Sequence, residues 1–199
     1  MAKRIFLDAF FYLGVPLLIW NFFREDLGDY YAILYGMLPA VIYTIAMAVI
    51  KKEWNVTGIF FLSLISLNFV FNLISKTAVQ ELWNGVYMSI ISIVFYMLTI
   101  GIKKPIGMYF FIDYAYAKGV PRKASKALYT SSENYGYFVQ FTLFLVLREI
   151  VTGGVKSYLI FDKGVEAFNT IQLTSSIIGY VFTGLTVFYV IYIIKKTKK

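Results

Sequence analysis

Long apolar runs, each closed by a short charged cluster, recur along this chain. The last run carries no charge from Asn169 to Ile194 and stops at Lys195-Lys196-Thr197-Lys198-Lys199. Such a run is long enough to cross the roughly 30 Å hydrocarbon layer of a bilayer, and a basic tail halts it on the cytoplasmic side. Six stretches of this kind are predicted as spanning helices: Ile5–Phe23, Tyr30–Ile50, Val56–Ser75, Asn84–Ile102, Tyr135–Thr152 and Asn169–Ile194. Each is about 18 residues or longer, near the spanning length. Their apolar positions are continuous rather than alternating over about ten residues, which predicts helices and not barrel strands. Residues 1–199 therefore read as one all-α polytopic transmembrane helix bundle.

The start, Met1-Ala2-Lys3-Arg4 followed by Ile5 to Trp20, mimics a signal peptide. It has no clear small-x-small cleavage site, and is read as a retained first span. Placing the N-terminus in the cytoplasm puts fourteen basic residues in inside segments and four, Arg24, Lys76, Lys156 and Lys163, in outside segments. Arg148 falls within span five. This bias follows the positive-inside rule and predicts that both termini are cytoplasmic. The outer loops are short and acidic, with Glu25, Asp26, Asp29, Glu81, Asp162 and Glu166.

One long loop, 103–134, is predicted on the cytoplasmic side. It opens with Lys103-Lys104-Pro105 and continues into the apolar run Ile106–Tyr116, broken by Asp113. A dozen residues is too short to span, which predicts an interfacial or re-entrant helix between spans four and five, with Pro105 suited to its first turn and Gly119-Val120-Pro121 as its end. The basic patch of Arg122, Lys123 and Lys126, with Lys103 and Lys104, faces either anionic lipid of the cytoplasmic leaflet or a cytoplasmic partner.

Composition agrees with a membrane bundle. Of 199 residues, 59% are hydrophobic and only 15% charged, with mean hydropathy +0.69, whereas soluble domains are nearer half apolar and a quarter charged. The net charge of +8 would favour nucleic acid in a soluble protein, but here it tracks topology, and no nucleic-acid partner is expected. The three Trp, each followed by Asn (Trp20-Asn21, Trp54-Asn55, Trp83-Asn84), fall at predicted span boundaries as interface anchors. Without Cys or His, disulfide, His-haem, HExxH zinc and Ser–His or Cys–His chemistry are excluded. No paired-acid motif is visible, so no enzyme activity, metal or cofactor is expected.

Two ladders of small residues, Gly36-Ala40-Thr44-Ala48 in span two and Ser175-Gly179-Thr183 in span six, repeat every four positions. They allow close helix approach, inside the monomer or at a homodimer seam. Pro16 and Pro39 sit inside spans one and two, as cavity-lining breaks or plain bends. Asp8 near the first cytoplasmic boundary pairs with Arg4 or Lys3, or carries a proton. The most informative polar constellation lies towards the outer leaflet. Asn68 and Asn72 share one face of span three, Glu81 and Asn84 flank the start of span four, and Arg148 and Glu149 lie about a turn below the end of span five. Charges in lipid cost several kcal/mol. Arg148 is expected to pair with Glu81 or Glu25, and Glu149 with a different partner. The cluster is either an outward cavity for a small polar solute, ion or lipid headgroup, or an interfacial network fixing helix packing.

Several stretches carry a resemblance: Trp20-Asn21 with Leu27-Gly28-Asp29-Tyr30-Tyr31-Ala32, Trp83-Asn84-Gly85, Lys104-Pro105 with Tyr109-Phe110-Phe111-Ile112-Asp113-Tyr114-Ala115, and Gly119-Val120-Pro121-Arg122-Lys123. Together they resemble a family of small bacterial six-span inner-membrane proteins, loosely similar to intracellular septation protein A. The resemblance implies a bacterial cytoplasmic-membrane location and brings no catalytic or binding residues with it. Two functions are carried forward. One is a small transporter or channel for a polar solute or ion, built on Asn68, Asn72, Glu81, Asn84, Arg148 and Glu149. The other is a non-transporting scaffold or accessory subunit of an envelope or division complex, built on the basic loop.

Overall fold

A computed structural model of the protein describes residues 7, 10–51 and 56–197. Asp8 and Trp54-Asn55 lie outside the described residues. The fold is all-α. A π-helical turn, Phe10–Gly14, leads into α1 (Val15–Leu27), followed by α2 (Asp29–Lys51), α3 (Val56–Leu73) and α4 (Ala78–Gly101). Two short helices, α5 (Ile106–Ala117) and α6 (Arg122–Tyr129), precede the long α7 (Ser132–Lys163), a 3₁₀ turn (Gly164–Ala167) and α8 (Phe168–Thr197). Among the described residues, three helical stretches are long and apolar enough to cross a membrane: α3, α4, and the run Ser132–Thr197 that contains α7 and α8. Six spans were predicted; the helices meet this criterion at these three.

Local chemistry explains several helix ends. Thr77 caps α4, its hydroxyl accepting from the Gln80 backbone N–H at 3.2 Å, while the Gln80 side chain reaches back to the Lys76 N–H at 3.0 Å; this is the reciprocal logic of a capping box. Gly28 turns the chain between α1 and α2 at φ 76°, a conformation that costs glycine least. The π-helical turn ends just before Pro16. A proline has no N–H and its ring crowds the carbonyl four residues back, and the wider π register relieves that conflict.

Two packed apolar clusters occupy opposite ends of the bundle. One gathers Trp20, Ile33, Leu82, Ile160, Phe168 and Ile171. The other gathers Phe60, Tyr96, Met108, Phe111, Phe138 and Ile193. Outside them the long helices present large apolar side chains outward, among them Phe22, Phe161 and Phe188, each more than 70% exposed. Continuous exposed apolar surface of this kind marks a face meant for lipid or protein rather than water.

The predicted cytoplasmic loop is largely helical. α5 is tucked under the bundle, with Ile106, Gly107, Met108, Phe111, Ile112, Asp113 and Ala115 buried. Gly107 lies against α7, its N–H donating to Thr142 Oγ1 at 3.1 Å. A Cβ there would stand 2.7 Å from the Phe141 ring and 2.9 Å from Thr142 Oγ1. Asp113 binds the helices together. Its Oδ2 accepts from both the backbone N–H and the hydroxyl of Thr57 at 2.8 Å, capping the first turn of α3 from outside, and its Oδ1 lies 3.1 Å from Arg122. Arg122 also lies over the Tyr116 ring at 4.7 Å. Arg122, read from sequence as part of a free basic patch, is thus partly committed inside the protein, because a buried carboxylate needs a counter-charge and donors. Lys103, Lys104, Lys123 and Lys126 are exposed.

At the opposite end Arg24 clasps three helices. It donates from Nε to Asp29 at 2.6 Å and from its two terminal nitrogens to Glu166 at 2.8 and 2.5 Å. Its guanidinium lies 4.3 Å from the Trp20 ring centroid, and Trp20 stacks on Phe168. Asn169 donates to Asn21 at 2.7 Å. The bidentate geometry is the strong form of the pair, and it holds the Glu166 carboxyl below its ordinary range.

The largest correction concerns span five. It was expected to end at Thr152, with residues 153–168 as an outer loop; instead α7 continues to Lys163. The helix runs on through Gly153-Gly154, and Gly153 faces Ser89 of α4, whose Cβ lies 3.2 Å from where a Gly153 Cβ would stand. Tertiary contact therefore uses the glycine to bring two helices together. In the span-two ladder Gly36 and Thr44 likewise pack inside the monomer, with a Gly36 Cβ position 3.3 Å from Pro16 Cα and the Thr44 hydroxyl bonded to that of Tyr12. In the span-six ladder Ser175 faces inward to a cavity, while Gly179 has open space around it and Thr183 is exposed.

Two stability outcomes follow. Gly107→Ala should destabilise the detergent-purified protein by about 1–3 kcal/mol through overpacking, and Asp113→Ala by about 2–3 kcal/mol through loss of the cap and its charge partner; thermal unfolding reads both. A group whose folded pKa is depressed contributes stability that is present above its unfolded pKa and lost as pH falls. The Glu166 contribution should accordingly fade below about pH 4.5, and Glu166→Gln should flatten that part of the melting temperature profile between about pH 6 and pH 3.

Candidate functional site

The central helix pair is α4 with α7, the most extensive helix contact in the fold. Small side chains set its spacing. Gly85 and Ser89 on α4 are one turn apart, and Gly153 of α7 fits against Ser89. Where backbones come this close, the next polar residues along α7 have nowhere to go but sideways, into the space between the helices. That space is a cavity of about 460 Å³ between the two apolar clusters, walled by α1, α2, α3, α4, α7 and α8.

Arg148, Glu149, Thr152 and Lys156 line the cavity from α7. Spacings of three, four and seven keep Glu149, Thr152 and Lys156 near one helix face, and Arg148 lies one turn before Thr152. Glu149 accepts from the Ser89 hydroxyl at 3.0 Å and lies 3.9 Å from Arg148. The Glu149 side chain is only 15% exposed and that of Arg148 41%. Arg148 thus pairs with its own neighbour and not with Glu81 or Glu25. The expectation that adjacent residues seek different partners fails because both long side chains bend into the same cavity. Lys156 brings its ammonium to within 3.2 Å of where a Cβ on Gly85 would stand, and it makes no hydrogen bond or ion pair among the described residues. Asn68 of α3 also lines the cavity, and its Oδ1 is shielded from water with no donor.

Asn72, Glu81 and Asn84 do not line the cavity. They lie beside it, where the end of α3 meets the start of α4. Asn84 donates to Asn72 Oδ1 at 2.6 Å and to Ser75 Oγ at 2.8 Å, while Asn72 points its amide at Met37 Sδ, 2.8 Å away. The Tyr30 hydroxyl donates to the Asn72 carbonyl at 3.3 Å. Asn72, Ser75 and Asn84 are all buried. This network ties the turn between α3 and α4 to α2 and has a packing role. Glu81 is 3% exposed, and neither carboxylate oxygen has a partner.

Of the six residues assigned from sequence to a solute site, Asn68, Arg148 and Glu149 therefore reach the cavity, and the other three form or adjoin the neighbouring network. Lys156 was missed, because it was placed in an outer loop. The signal was present: Glu149, Thr152 and Lys156 continue the helical period through Gly153-Gly154. Among the described residues no group of three or more acidic side chains converges to hold a metal ion.

Comparison with protein-family models, with curated proteins and with solved structures finds no match for this chain.

Asn84→Ala should cost about 2 kcal/mol, since it strands the buried acceptors of Asn72 and Ser75; a melting temperature indistinguishable from wild type would contradict the network's packing role.

Proposed function

We propose that this is an integral membrane protein that binds a small polar solute or ion in the inter-helical cavity and carries it across the bilayer. The observation that supports this most directly is the set of three ionisable side chains lining a cavity walled by six helices, Arg148 and Glu149 halfway along α7 and Lys156 two turns further on. Ionisable groups at that depth are costly and mark solute or ion pathways in membrane bundles. The six predicted spans and the positive-inside bias support a multi-pass chain with both termini in the cytoplasm. The resemblance to small bacterial six-span proteins supports the cytoplasmic membrane as its site. The exposed Lys103, Lys104, Lys123 and Lys126 then meet anionic lipid on the cytoplasmic side.

A second reading rests on those same exposed lysines, gathered at the end of the bundle that carries α5 and α6. Here the protein is a non-transporting scaffold or accessory subunit of an envelope or division complex, and the lysines dock a partner. Lys123→Glu with Lys126→Glu tests it without disturbing the Arg122–Asp113 pair, and the co-purifying partner should be lost.

The transport reading is tested by reconstitution into liposomes with a panel of labelled ions, amino acids, sugars and nucleosides. One solute class should be taken up, and Arg148→Gln and Glu149→Gln should each reduce uptake by about tenfold or more while remaining monodisperse and cooperatively folded. Variants that move the solute at the wild-type rate would end this reading.

A further inference from the structure

The cavity side chains also bear on the chemistry of the solute. Arg148 and Lys156 bring two positive charges to the cavity and Glu149 one negative charge. Glu149 is already engaged, by the Ser89 hydroxyl at 3.0 Å and by Arg148 at 3.9 Å. Lys156 is left over. Its ammonium has no hydrogen bond or ion pair among the described residues, although the hydroxyl-bearing Ser89, Ser92, Thr152 and Ser175 line the same, largely apolar, cavity. An ammonium carries three donors and no acceptor, and removing it from water without a partner is expensive. The Lys156 nitrogen packs over Gly85, 3.2 Å from where a Cβ there would stand, so a side chain at residue 85 would press the ammonium aside by a few tenths of an ångström.

We infer that the cavity takes a small anion, with a carboxylate or phosphate group bound by the Lys156 ammonium and steered by Arg148. The inference rests on the cavity being the solute site, and it adds the charge class of the solute. Glu149 has two roles in this arrangement. It offsets part of the positive charge in the empty cavity, and it competes with the anion for the two cations. Removing its charge should therefore strengthen anion binding, whereas removing that of Lys156 should abolish it. A merely structural salt-bridge network would respond differently, since loss of either sign would weaken the fold.

The test uses the full chain in lipid nanodiscs at constant ionic strength. The probes are acetate and inorganic phosphate, with acetamide as the neutral counterpart of acetate and tetramethylammonium as a cation. Binding is read from the melting temperature and from intrinsic Trp fluorescence. Acetate or phosphate should raise the melting temperature of the wild type in a saturable way, because a ligand that binds the folded state alone stabilises it; acetamide and tetramethylammonium should not. Lys156→Met should weaken the anion's apparent affinity at least tenfold, Lys156→Arg should retain it within a few-fold, and Glu149→Gln should tighten it several-fold. Acetamide stabilising as well as acetate, or an anion effect unchanged in Lys156→Met, would overturn the inference. Should Lys156→Met fail to fold, Lys156→Gln supplies the second variant, since it removes the charge while keeping a polar head that can hydrogen-bond, and it must lower anion affinity. The uptake panel separates the two ideas. A neutral or cationic solute whose transport needs Arg148 and Glu149 would leave transport standing and remove the anion assignment; uptake of nothing, with no probe binding, would remove both.

Discussion

The close approach of α4 and α7 is the constraint on which the rest of this structure depends. Gly153 fits against Ser89, and Gly85 leaves room for the end of Lys156. In lipid, apolar burial does not drive helices together, so packing of small residues and polar contact must do it. Both operate at this seam. The same glycines that let the backbones close also leave no room for bulky side chains along the contact line, so the long polar side chains of α7 turn into the adjoining space. A hydrogen bond from Ser89 to Glu149 then crosses from one helix to the other.

Around this seam the fold separates its tasks by depth. The two ends are closed by apolar clusters and by charge clasps, Arg24 with Asp29 and Glu166 at one end and Asp113 with Thr57 and Arg122 at the other. Each clasp joins elements distant in sequence, and each acid in it has its counter-charge. The middle is different. There the cavity holds an unpaired ammonium, a loosely paired arginine and an amide oxygen with no donor. Native structures satisfy nearly all buried polar groups. Among the described residues, buried atoms without a partner stand at Asn68 in the cavity and at Glu81 and Asn169 towards the end that carries the Arg24 clasp; the cavity groups fit a site that gains its missing partners on binding. Glu81, buried with both oxygens unpartnered in the first turn of α4, is a further unbalanced group close to this region.

Much of this was legible along the chain. The apolar runs locate the long helices, since a stretch that must satisfy its own backbone in lipid has to be helical. The dozen apolar residues after Pro105 mark α5, and the helix Ile106–Ala117 stands there. Arg148, Glu149 and Asn68 were legible as residues needing a polar surrounding, because a charge or amide in an apolar run is costly anywhere. The failures share one cause. Thr152 looks like the end of span five, yet α7 runs on to Lys163 with Gly153 as a contact surface. Arg122 looks like a free basic residue and is held by Asp113. Arg148 and Glu149 look as though they point apart and meet in one cavity. In each case a partner remote in sequence outweighs a local rule.

Periodicity and charge by themselves therefore determined that the chain is an all-helical, largely apolar protein, where its long helices lie, and which few residues could not be left in hydrocarbon. Those properties follow from transfer energies, which each residue carries wherever it is placed. Which residues face one another was decided only by the tertiary structure, through the distance at which α4 and α7 can meet. At Gly153 that distance depends on the absence of a side chain opposite Ser89, an absence that has physical meaning only once the opposite helix is in place.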